Sequence, residues 1–504
     1  MASDHREDAP SAYVDLLDQY ERITALGSTQ GLLSWDQQVM MPEGGNPARS
    51  KQLSTVSGLN HELLTDPVVA DALDDLADAD LDPARAAVVR EIERAYVRAE
   101  RVPRDLVERI AATSSDALQA WEEARANDEF ETFEPYLEEL LDLKREYAAH
   151  IDDTRDPYAV LFEDYEPYLD LETAERVLGR LREELVPLIE EVTAADVELA
   201  APFEGETFDP EAQEAFSRDV LDELGYDWDR GRLDTSTHPF TVGNQFDSRI
   251  TTRFNEAEPL DSIMSTVHEF GHARYNLGLP QAEYGTPLGE PRDLTVHESQ
   301  SRLWENHVGR SAAFWEHFAS AFGERFPAVA DVTPREIYEA ANRIYPANLI
   351  RVEADELTYH MHIVLRFEIE RDLIAGDLAV ADVPETWNEK MADYLGVRPD
   401  TDSTGCLQDI HWSHGNFGYF PTYSLGSVLA AQLYAHVEAD VDDLAGHVAA
   451  GEFAPLHDWL GEHVHRYGCR YTTPELIEEA TGEAYTADYF LEHAREKFAD
   501  LYDL

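Results

Sequence analysis

The chain has 504 residues, with 103 acidic against 39 basic side chains and a formal net charge of −64. This balance argues against nucleic acid and anionic membranes as partners, because both repel a strongly acidic surface. A hydrophobic content of 43% and an aromatic content of 10% exclude a disordered chain, so we interpret the charge as a solvated surface adapted to high salt, which indicates a halophilic origin.

Cysteine usage and hydropathy restrict the compartment. Cys406 and Cys469 are too few for a disulfide framework in a chain of this length. The N-terminal residues lack the basic and apolar regions of a secretion signal, and no apolar run approaches the length of a membrane span. We therefore expect a cytoplasmic protein that does not bind a membrane.

The first two hundred residues carry apolar side chains at helical spacing almost throughout, and they contain no catalytic motif. The turn residues of Pro42–Pro47 interrupt the pattern between the first two predicted helices. The clearest apolar stripes run through Val14–Ile23, Leu53–Leu59, Leu106–Trp121 and Leu137–Ile151. We interpret this region as a helical scaffold or cap.

The helical spacing of apolar residues is interrupted after Gly205. Thr, Val, Ile and Phe residues surround the break Gly243-Asn244, which predicts a β-hairpin between Thr235 and Phe254. An edge strand at this place is suited to hold an extended peptide by backbone hydrogen bonds. A purely structural hairpin is the alternative interpretation.

His268-Glu269-Phe270-Gly271-His272 forms an H-E-x-x-H motif on a helix predicted from Leu260 to Leu277. Side chains at positions i and i+4 share one helix face, so both imidazoles are able to bind one zinc ion. Glu269 lies next to the first histidine and is placed to take a proton from a water at the metal. The alternative is a pair of partly buried histidines on an amphipathic helix.

A third ligand is expected from a second helix. Glu298 follows His272 by 26 residues, and glycines and prolines between them let the chain turn back. Two histidines and one glutamate leave the fourth zinc position open, which is typical of a catalytic site. His297 is the rival ligand, because spacing alone does not decide between these neighbours.

The motifs that follow have both structural and functional interpretations. Thr333-Pro334-Arg335-Glu336 predicts a helix start with a capping box. Arg351 lies in a segment, Ile350–Asp355, that we predict to be helical, and it is either an ion-pair partner or a fork for a substrate carboxylate. The glycine- and aromatic-rich segment Gly405–Tyr423 is either a binding loop or a packed surface loop.

Taken together, these segments resemble the thermostable carboxypeptidase 1 family of metallopeptidases, also called carboxypeptidase Taq, over nearly the whole chain. Six motifs in the same order carry the resemblance, which makes it far more specific than the H-E-x-x-H motif alone. They are His238-Pro239-Phe240, Asp247-Ser248-Arg249-Ile250-Thr251, the H-E-x-x-H motif, His297-Glu298-Ser299, Ile350-Arg351 with Ala354-Asp355, and Gly405 with Gln408-Asp409 and His411-Trp412.

The resemblance implies a mainly α fold: a large helical metallopeptidase with a deep active-site groove and a small β-sheet beside the zinc helix. We expect a single catalytic domain of residues 1–504, with the scaffold at about 1–200 and the active-site motifs at about 230–430. The resemblance also implies a metal-dependent release of C-terminal residues from peptides with broad specificity, commonly by a homodimer. It makes Glu298 the third ligand, with Zn²⁺ as the expected metal and Co²⁺ as the alternative.

The site residues follow from these expectations. Glu269 is the expected general base, and Tyr423 or His411 is the expected donor to the tetrahedral oxyanion. For the substrate's C-terminal carboxylate, Arg351 is the first choice and Arg249 the second. The first of the six motifs adds His238 as a further substrate-binding residue.

Two other functions are compatible with the same motif. One is a related oligoendopeptidase, which cuts within peptides and would tolerate a C-terminal amide. The other is a non-catalytic metal- or peptide-binding protein. The intact Glu269 argues against a mere binder, because binding alone does not require a general base.

Overall fold

Helices dominate the structure, which is a computed structural model. It describes Arg6, residues 8–345 and residues 347–504, without the side chain of Glu43. The helices are α1 Ser11–Val39, α2 Asn46–Leu64, α3 Pro67–Leu76, α4 Pro83–Arg101, α5 Arg104–Asn127, α6 Glu134–Asp152, α7 Pro157–Phe162, α8 Leu171–Ala194, α9 Pro210–Glu223, α10 Pro259–Gly278, α11 Leu294–Arg302, α12 Ala312–Arg325, α13 Pro334–Ala341, α14 Tyr359–Ala375, α15 Val383–Leu395, α16 Pro421–Asp440, α17 Leu444–Ala449, α18 Ala454–His463, α19 Thr473–Thr481 and α20 Asp488–Tyr502. The strands are β1 Leu233–Thr235, β2 Thr241–Gly243 and β3 Ser248–Thr252. The predicted mainly α fold with a small sheet is confirmed.

Local sequence explains where several helices begin. Helices α3, α4, α7 and α9 each start with an Asp–Pro pair, in which the aspartate caps the first turn and proline occupies the first helical position. The aspartate oxygen accepts an N–H that has no partner within the helix, and proline has no N–H to leave unpaired. The capping box predicted at Thr333 is present at the start of α13.

The predicted hairpin is present and belongs to a three-stranded sheet of order β1-β3-β2. Strands β2 and β3 pair antiparallel, with Val242 opposite Arg249, and β1 pairs with β3 in parallel. The sequence did not indicate β1, because a strand of three residues is too short to show alternation. This order leaves β2 as an edge strand, and its outer edge pairs with no other strand in the described part of the chain.

The buried apolar side chains form two clusters. The larger one extends from Val102 to Tyr502 and includes Ile250 of β3 together with Val267 and Phe270 of α10. The smaller one joins α1, α3 and α4 and also contains Leu288. The helix that carries the H-E-x-x-H motif is therefore buried against the sheet. The division of the chain into domain regions stays a prediction.

Two segments differ from their predicted form. The helix that carries Glu298 continues past Arg302 as a π-helical turn, Leu303–Gly309. Arg351 starts a single 3₁₀ turn, Arg351–Glu353, and the α-helix that follows begins only at Tyr359. No helix among the described residues is both long and apolar enough to cross a membrane.

Candidate metal and substrate site

His268 and His272 of α10 and Glu298 of α11 bring their ligand atoms to one place. The Nε2 atoms of His268 and His272 lie 3.9 and 3.6 Å from Oε2 of Glu298, and the three ligand atoms all lie within 4.8 Å of one another. Two imidazoles and one carboxylate form a donor set that suits zinc. The residues of the described chain therefore fit the metal that the sequence predicted.

Two glycines allow α11 to approach the histidines. A Cβ atom on Gly271 would lie 2.6 Å from the carbonyl oxygen of Gln300, and one on Gly426 of α16 would lie 2.5 Å from Cβ of Glu298. A larger residue at either position would push the helices apart, since such distances are far below van der Waals contact. Glycine inside the H-E-x-x-H motif thus has a packing role, which places Glu298 opposite the histidines.

A second carboxylate lies behind His268. Oε2 of Glu305, in the π-helical turn, lies 2.9 Å from Nδ1 of His268. Arg302 donates to Oε1 of Glu298 at 2.8 Å and to Oε2 of Glu305 at 3.1 Å, while Arg310 contacts the other oxygen of Glu305 at 3.2 Å. A carboxylate on the distal nitrogen orients a ligating imidazole and fixes which nitrogen binds metal.

Burial and charge act differently on the two histidines. Burial would lower the pKa of His268, but the neighbouring carboxylates of Glu298 and Glu305 raise it above its ordinary value. Burial lowers the pKa of His272 well below its ordinary value, and the adjacent His297 and His268 add to that shift. His272 is therefore a neutral imidazole, the form that binds a metal.

His297, the rival ligand, does not present a nitrogen to this cluster. Its ring stacks on the ring of His272, with centroids 4.5 Å apart and planes at 27°. Burial lowers the pKa of His297 to about 4, so the stacked ring is uncharged at neutral pH. The structure brings Glu298, rather than its neighbour, towards the two histidines of the motif.

Glu269 is held between the helix and the sheet. Thr241 of β2 donates its hydroxyl to Oε2 of Glu269 at 2.6 Å, and the side chain is almost completely buried. Burial raises the pKa of Glu269 to about 7. A carboxylate with a raised pKa next to the ligands has the properties of a general base.

Arg351 belongs to a buried cluster of two arginines and one aspartate. Its Nε and Nη2 atoms donate to Oδ1 of Asp409 at 3.1 and 2.8 Å, and Arg366 of α14 donates to Oδ2 at 2.7 Å. Nη1 of Arg351 donates to the hydroxyl of Tyr359, whose ring lies 4.8 Å from the guanidinium of Arg302. Contacts through Tyr359 and Arg302 thus connect this cluster with Glu298.

The two predicted oxyanion donors lie beside the arginine cluster. Burial lowers the pKa of His411 to about 4, so its imidazole is neutral, and its buried Nδ1 has no hydrogen-bond partner among the described residues. The ring of Tyr423 lies 5.2 Å from the guanidinium of Arg351. Tyr423 belongs to the first turn of α16, whereas the sequence predicted a loop at this position. Burial raises the pKa of Tyr423 well above its ordinary value.

Arg249 and His238 lie elsewhere. Arg249 donates to Asp247 through Nε and Nη2, at 2.9 and 2.7 Å, and its guanidinium lies 4.3 Å from the ring centroid of Trp35. It lines a cavity of about 640 Å³ between α1, β2 and the chain that follows α10. The side chain of His238 is exposed in the β1–β2 connection, where its carbonyl accepts from Ser236 at 2.6 Å.

Several residues of the site were not anticipated from the sequence. Arg302 and Glu305 follow Glu298 by four and seven positions, a spacing that signals one helix face and could have indicated both. Thr241 and Arg366 had no such signal, because their contacts with Glu269 and Asp409 join segments distant in the chain.

Comparisons with known proteins identify the family of the chain. Residues 15–498 match the family described as Carboxypeptidase Taq (M32) metallopeptidase. The chain is 39% identical over 506 residues to thermostable carboxypeptidase 1 of Thermus thermophilus, covering 98% of this chain and 99% of the relative. It is 38% identical over 487 residues to the Pyrococcus furiosus protein of the same name, covering 96% and 97%. The crystal structure of an M32 carboxypeptidase from Deinococcus radiodurans R1 superposes with a TM-score of 0.95 at 39% identity, covering 98% of this chain and all of that one.

Proposed function

The chain belongs to the Carboxypeptidase Taq (M32) metallopeptidase family and is a metallocarboxypeptidase, a peptide hydrolase, and we propose that it uses zinc to release C-terminal residues from peptides. His268, His272 and Glu298 would hold the ion, and cobalt is the alternative metal. The observation that carries this proposal is the convergence of their three ligand atoms beside the buried Glu269. Broad specificity for the released residue is part of the proposal.

The chemistry divides between the metal and the side chains. A bound zinc ion supplies a Lewis acid for the scissile carbonyl and acidifies a water. Glu269 takes the proton of the attacking water and delivers it to the leaving amine, with Thr241 orienting its carboxylate. His411 or Tyr423 donates a hydrogen bond to the oxyanion that develops, because both lie beside the Arg351–Asp409 cluster.

Charge favours Arg351 over Arg249 as the group that binds the C-terminal carboxylate. Arg351 and Arg366 share the single carboxylate of Asp409, so this buried cluster carries an excess positive charge. Arg249 and Asp247 form a pair of equal and opposite charge. A substrate carboxylate would compensate the excess charge of the first cluster, because burying an unpaired charge is costly.

The upstream part of the peptide would then extend along β2. No other strand among the described residues pairs with the outer edge of β2, and its first residue, Thr241, contacts Glu269. Val242 and Gly243 continue from there into the cavity beside α1. An extended peptide pairs with such an edge by backbone hydrogen bonds, and its side chains enter the adjacent space.

Peptide digestion followed by mass spectrometry tests the proposal. We expect stepwise loss of C-terminal residues, inhibition by a chelator, and recovery of activity on addition of zinc. The Glu269→Gln variant should keep its metal and lose most activity, because glutamine has a similar shape but is no base. Internal cleavage of a C-terminally amidated peptide at an undiminished rate would instead indicate an endopeptidase.

The choice between the arginines is tested by a rate ratio. Arg351→Lys should lower the rate on free peptides much more than the rate on amidated peptides, because lysine lacks the two parallel donors of a guanidinium. Arg249→Lys is the matched control and should leave this ratio unchanged. The reverse result would move the carboxylate site to Arg249.

The proposal includes a homodimer in the cytoplasm. Both cysteines are free and buried thiols, which suits a reducing compartment. The dimer rests on the family alone, and light scattering of the purified protein at high salt measures it directly. A mass of a single chain under these conditions would contradict this part of the proposal.

A further inference from the structure

Glu370 of α14 is a fully buried carboxylate that the proposed reaction does not use. It accepts three hydrogen bonds: from the hydroxyl of Tyr158 at 2.9 Å, from the indole N–H of Trp412 at 2.9 Å and from the backbone N–H of Gly418 at 3.0 Å. Two of these donors belong to the segment Gly405–Tyr423. Most of the hydrogen bonds of Glu370 therefore fix the position of this segment.

The same segment supports the arginine that we propose to bind the substrate. The amide oxygen of Gln408 accepts from the backbone N–H of Arg351 at 2.8 Å, and Asp409 holds its guanidinium. His411 lies directly before Trp412 in the chain. A displacement of Trp412 would therefore also displace Gln408 and Asp409, which orient Arg351. It would displace the candidate oxyanion donor His411 as well.

Gly418 shows how closely this segment is fitted. Its φ of +90° lies in the region that favours glycine. A Cβ atom at this position would lie 2.9 Å from both N and Cα of Phe162, at the end of α7. The same short helix carries Tyr158, so α7, the segment and α14 meet at the carboxylate of Glu370.

We propose that Glu370 is a positioning residue of the peptidase reaction: it fixes segment Gly405–Tyr423 and, through Asp409, the guanidinium of Arg351. The proposal rests on the proposed role of Arg351 in binding the substrate's C-terminal carboxylate. Glu370 contributes to the register of the substrate, because a small displacement of the Arg351 guanidinium moves the scissile bond away from the metal ligands.

The geometry explains why a carboxyl group, which has two acceptor oxygens, is required. Trp412 donates to Oε1 and Gly418 to Oε2, and neither N–H is able to turn away. Glutamine has one acceptor oxygen, so in Glu370→Gln one of these two donors meets an N–H₂ group. Tyr158 differs from them, because its hydroxyl rotates and is able to donate or accept.

The experiment compares four single variants on one peptide in its free-acid and amidated forms. Glu370→Gln and Trp412→Phe disturb the bond between the carboxylate and the segment, and the second keeps an aromatic ring if the first fails to fold. Tyr158→Phe is the matched control, because it removes a bond to the same carboxylate from α7 instead. Arg351→Lys reports on the proposed function itself. Zinc content and melting temperature are measured for each variant.

We expect Glu370→Gln and Trp412→Phe to lower the ratio of free-acid to amide kcat/KM by roughly tenfold at unchanged zinc content. Tyr158→Phe should lower the melting temperature and leave the ratio unchanged, as a purely structural contact would. If Arg351→Lys changes the ratio and the two test variants do not, the role of Glu370 is wrong and that of Arg351 stands. If Arg351→Lys also leaves the ratio unchanged, both proposals are wrong.

Discussion

Glu305 lies 2.9 Å from Nδ1 of His268, on the side of the ring opposite to the nitrogen that faces Glu298. Glu305 lies in the π-helical turn Leu303–Gly309, which continues directly from α11. Such turns are often found at functional sites, where they redirect one side chain. Glu305 thus orients the ring of His268 through Nδ1, and Nε2 remains available to bind a metal.

Replacing Glu305 should therefore weaken metal binding. We expect Glu305→Gln to lower zinc affinity by about 10- to 100-fold, because the neutral amide holds the imidazole less firmly and makes it less basic. Competition with a chromogenic chelator measures the affinity without reference to activity. Glu316→Gln, an exposed position of α12, is the matched control and should bind zinc as the wild type does.

The neighbouring positions 297 and 298 should respond differently to truncation. Glu298→Ala removes a proposed ligand and should leave the purified protein largely free of metal. His297→Ala removes only the ring that stacks on His272, so it should weaken metal binding to a smaller extent. Metal analysis of the two variants after dialysis measures the difference. A metal-free His297→Ala protein with a metal-loaded Glu298→Ala protein would reverse the assignment.

The pH dependence of stability should contain a contribution from Glu370. Burial raises its pKa from an ordinary value of 4.5 to about 7, so between these values the folded state keeps a proton that the unfolded state has lost. The contribution of this group to stability therefore falls as the pH rises through that window, by up to roughly 3 kcal/mol. The charged and titratable groups around Glu370 are Arg366, which pairs with Asp409, and the tyrosines Tyr158 and Tyr165. Arg182 and Lys390 pair with Glu368 instead.

Urea unfolding at several pH values between 5 and 8 checks this contribution. Glu370→Gln has no titrating group at this position, so the stability advantage of the wild type should shrink as the pH rises. All other carboxyl groups are common to the two proteins and cancel in the difference. A difference that stays constant with pH would contradict the raised pKa.

Filling the cavity beside β2 should affect long peptides. Gly27 of α1 lines this cavity, and a Cβ atom there would meet no other atom within 4 Å. Gly27→Leu should lower kcat/KM for peptides of four or more residues by roughly tenfold and leave the shortest substrates unaffected. Gly179→Leu in α8 is the matched control, because its surroundings are equally open and it lies outside the cavity. Equal effects of both variants would show that the cavity does not hold the peptide.

Salt should stabilise the protein. With a formal charge of −64, repulsion between surface carboxylates is weakly screened in dilute buffer. The Debye length falls from about 30 Å at 0.01 M to about 3 Å at 1 M salt, so the repulsion decreases strongly over this range. We expect the melting temperature to rise with KCl and equally with NaCl. A melting temperature that stays flat or falls would contradict adaptation to high salt.

Short-range spacing determined much of what the sequence by itself could predict. Residues four apart share a helix face, so His268 and His272 were expected to lie together, and they do. The capping box at Thr333 and the Gly243-Asn244 break are local in the same way, because their hydrogen bonds join residues a few positions apart. Each of these features depends on neighbours in the chain and is therefore visible in one segment.

Only the tertiary structure decided which distant side chains meet. Both His297 and Glu298 had the reach of a ligand, and the close approach of α11 to α10 and α16 at two glycines turned Glu298 towards the histidines. Arg351 and Arg366 share an aspartate that follows them by 58 and 43 positions. Such contacts depend on how helices pack, and helical periodicity specifies the face that is buried but not the partner that it meets.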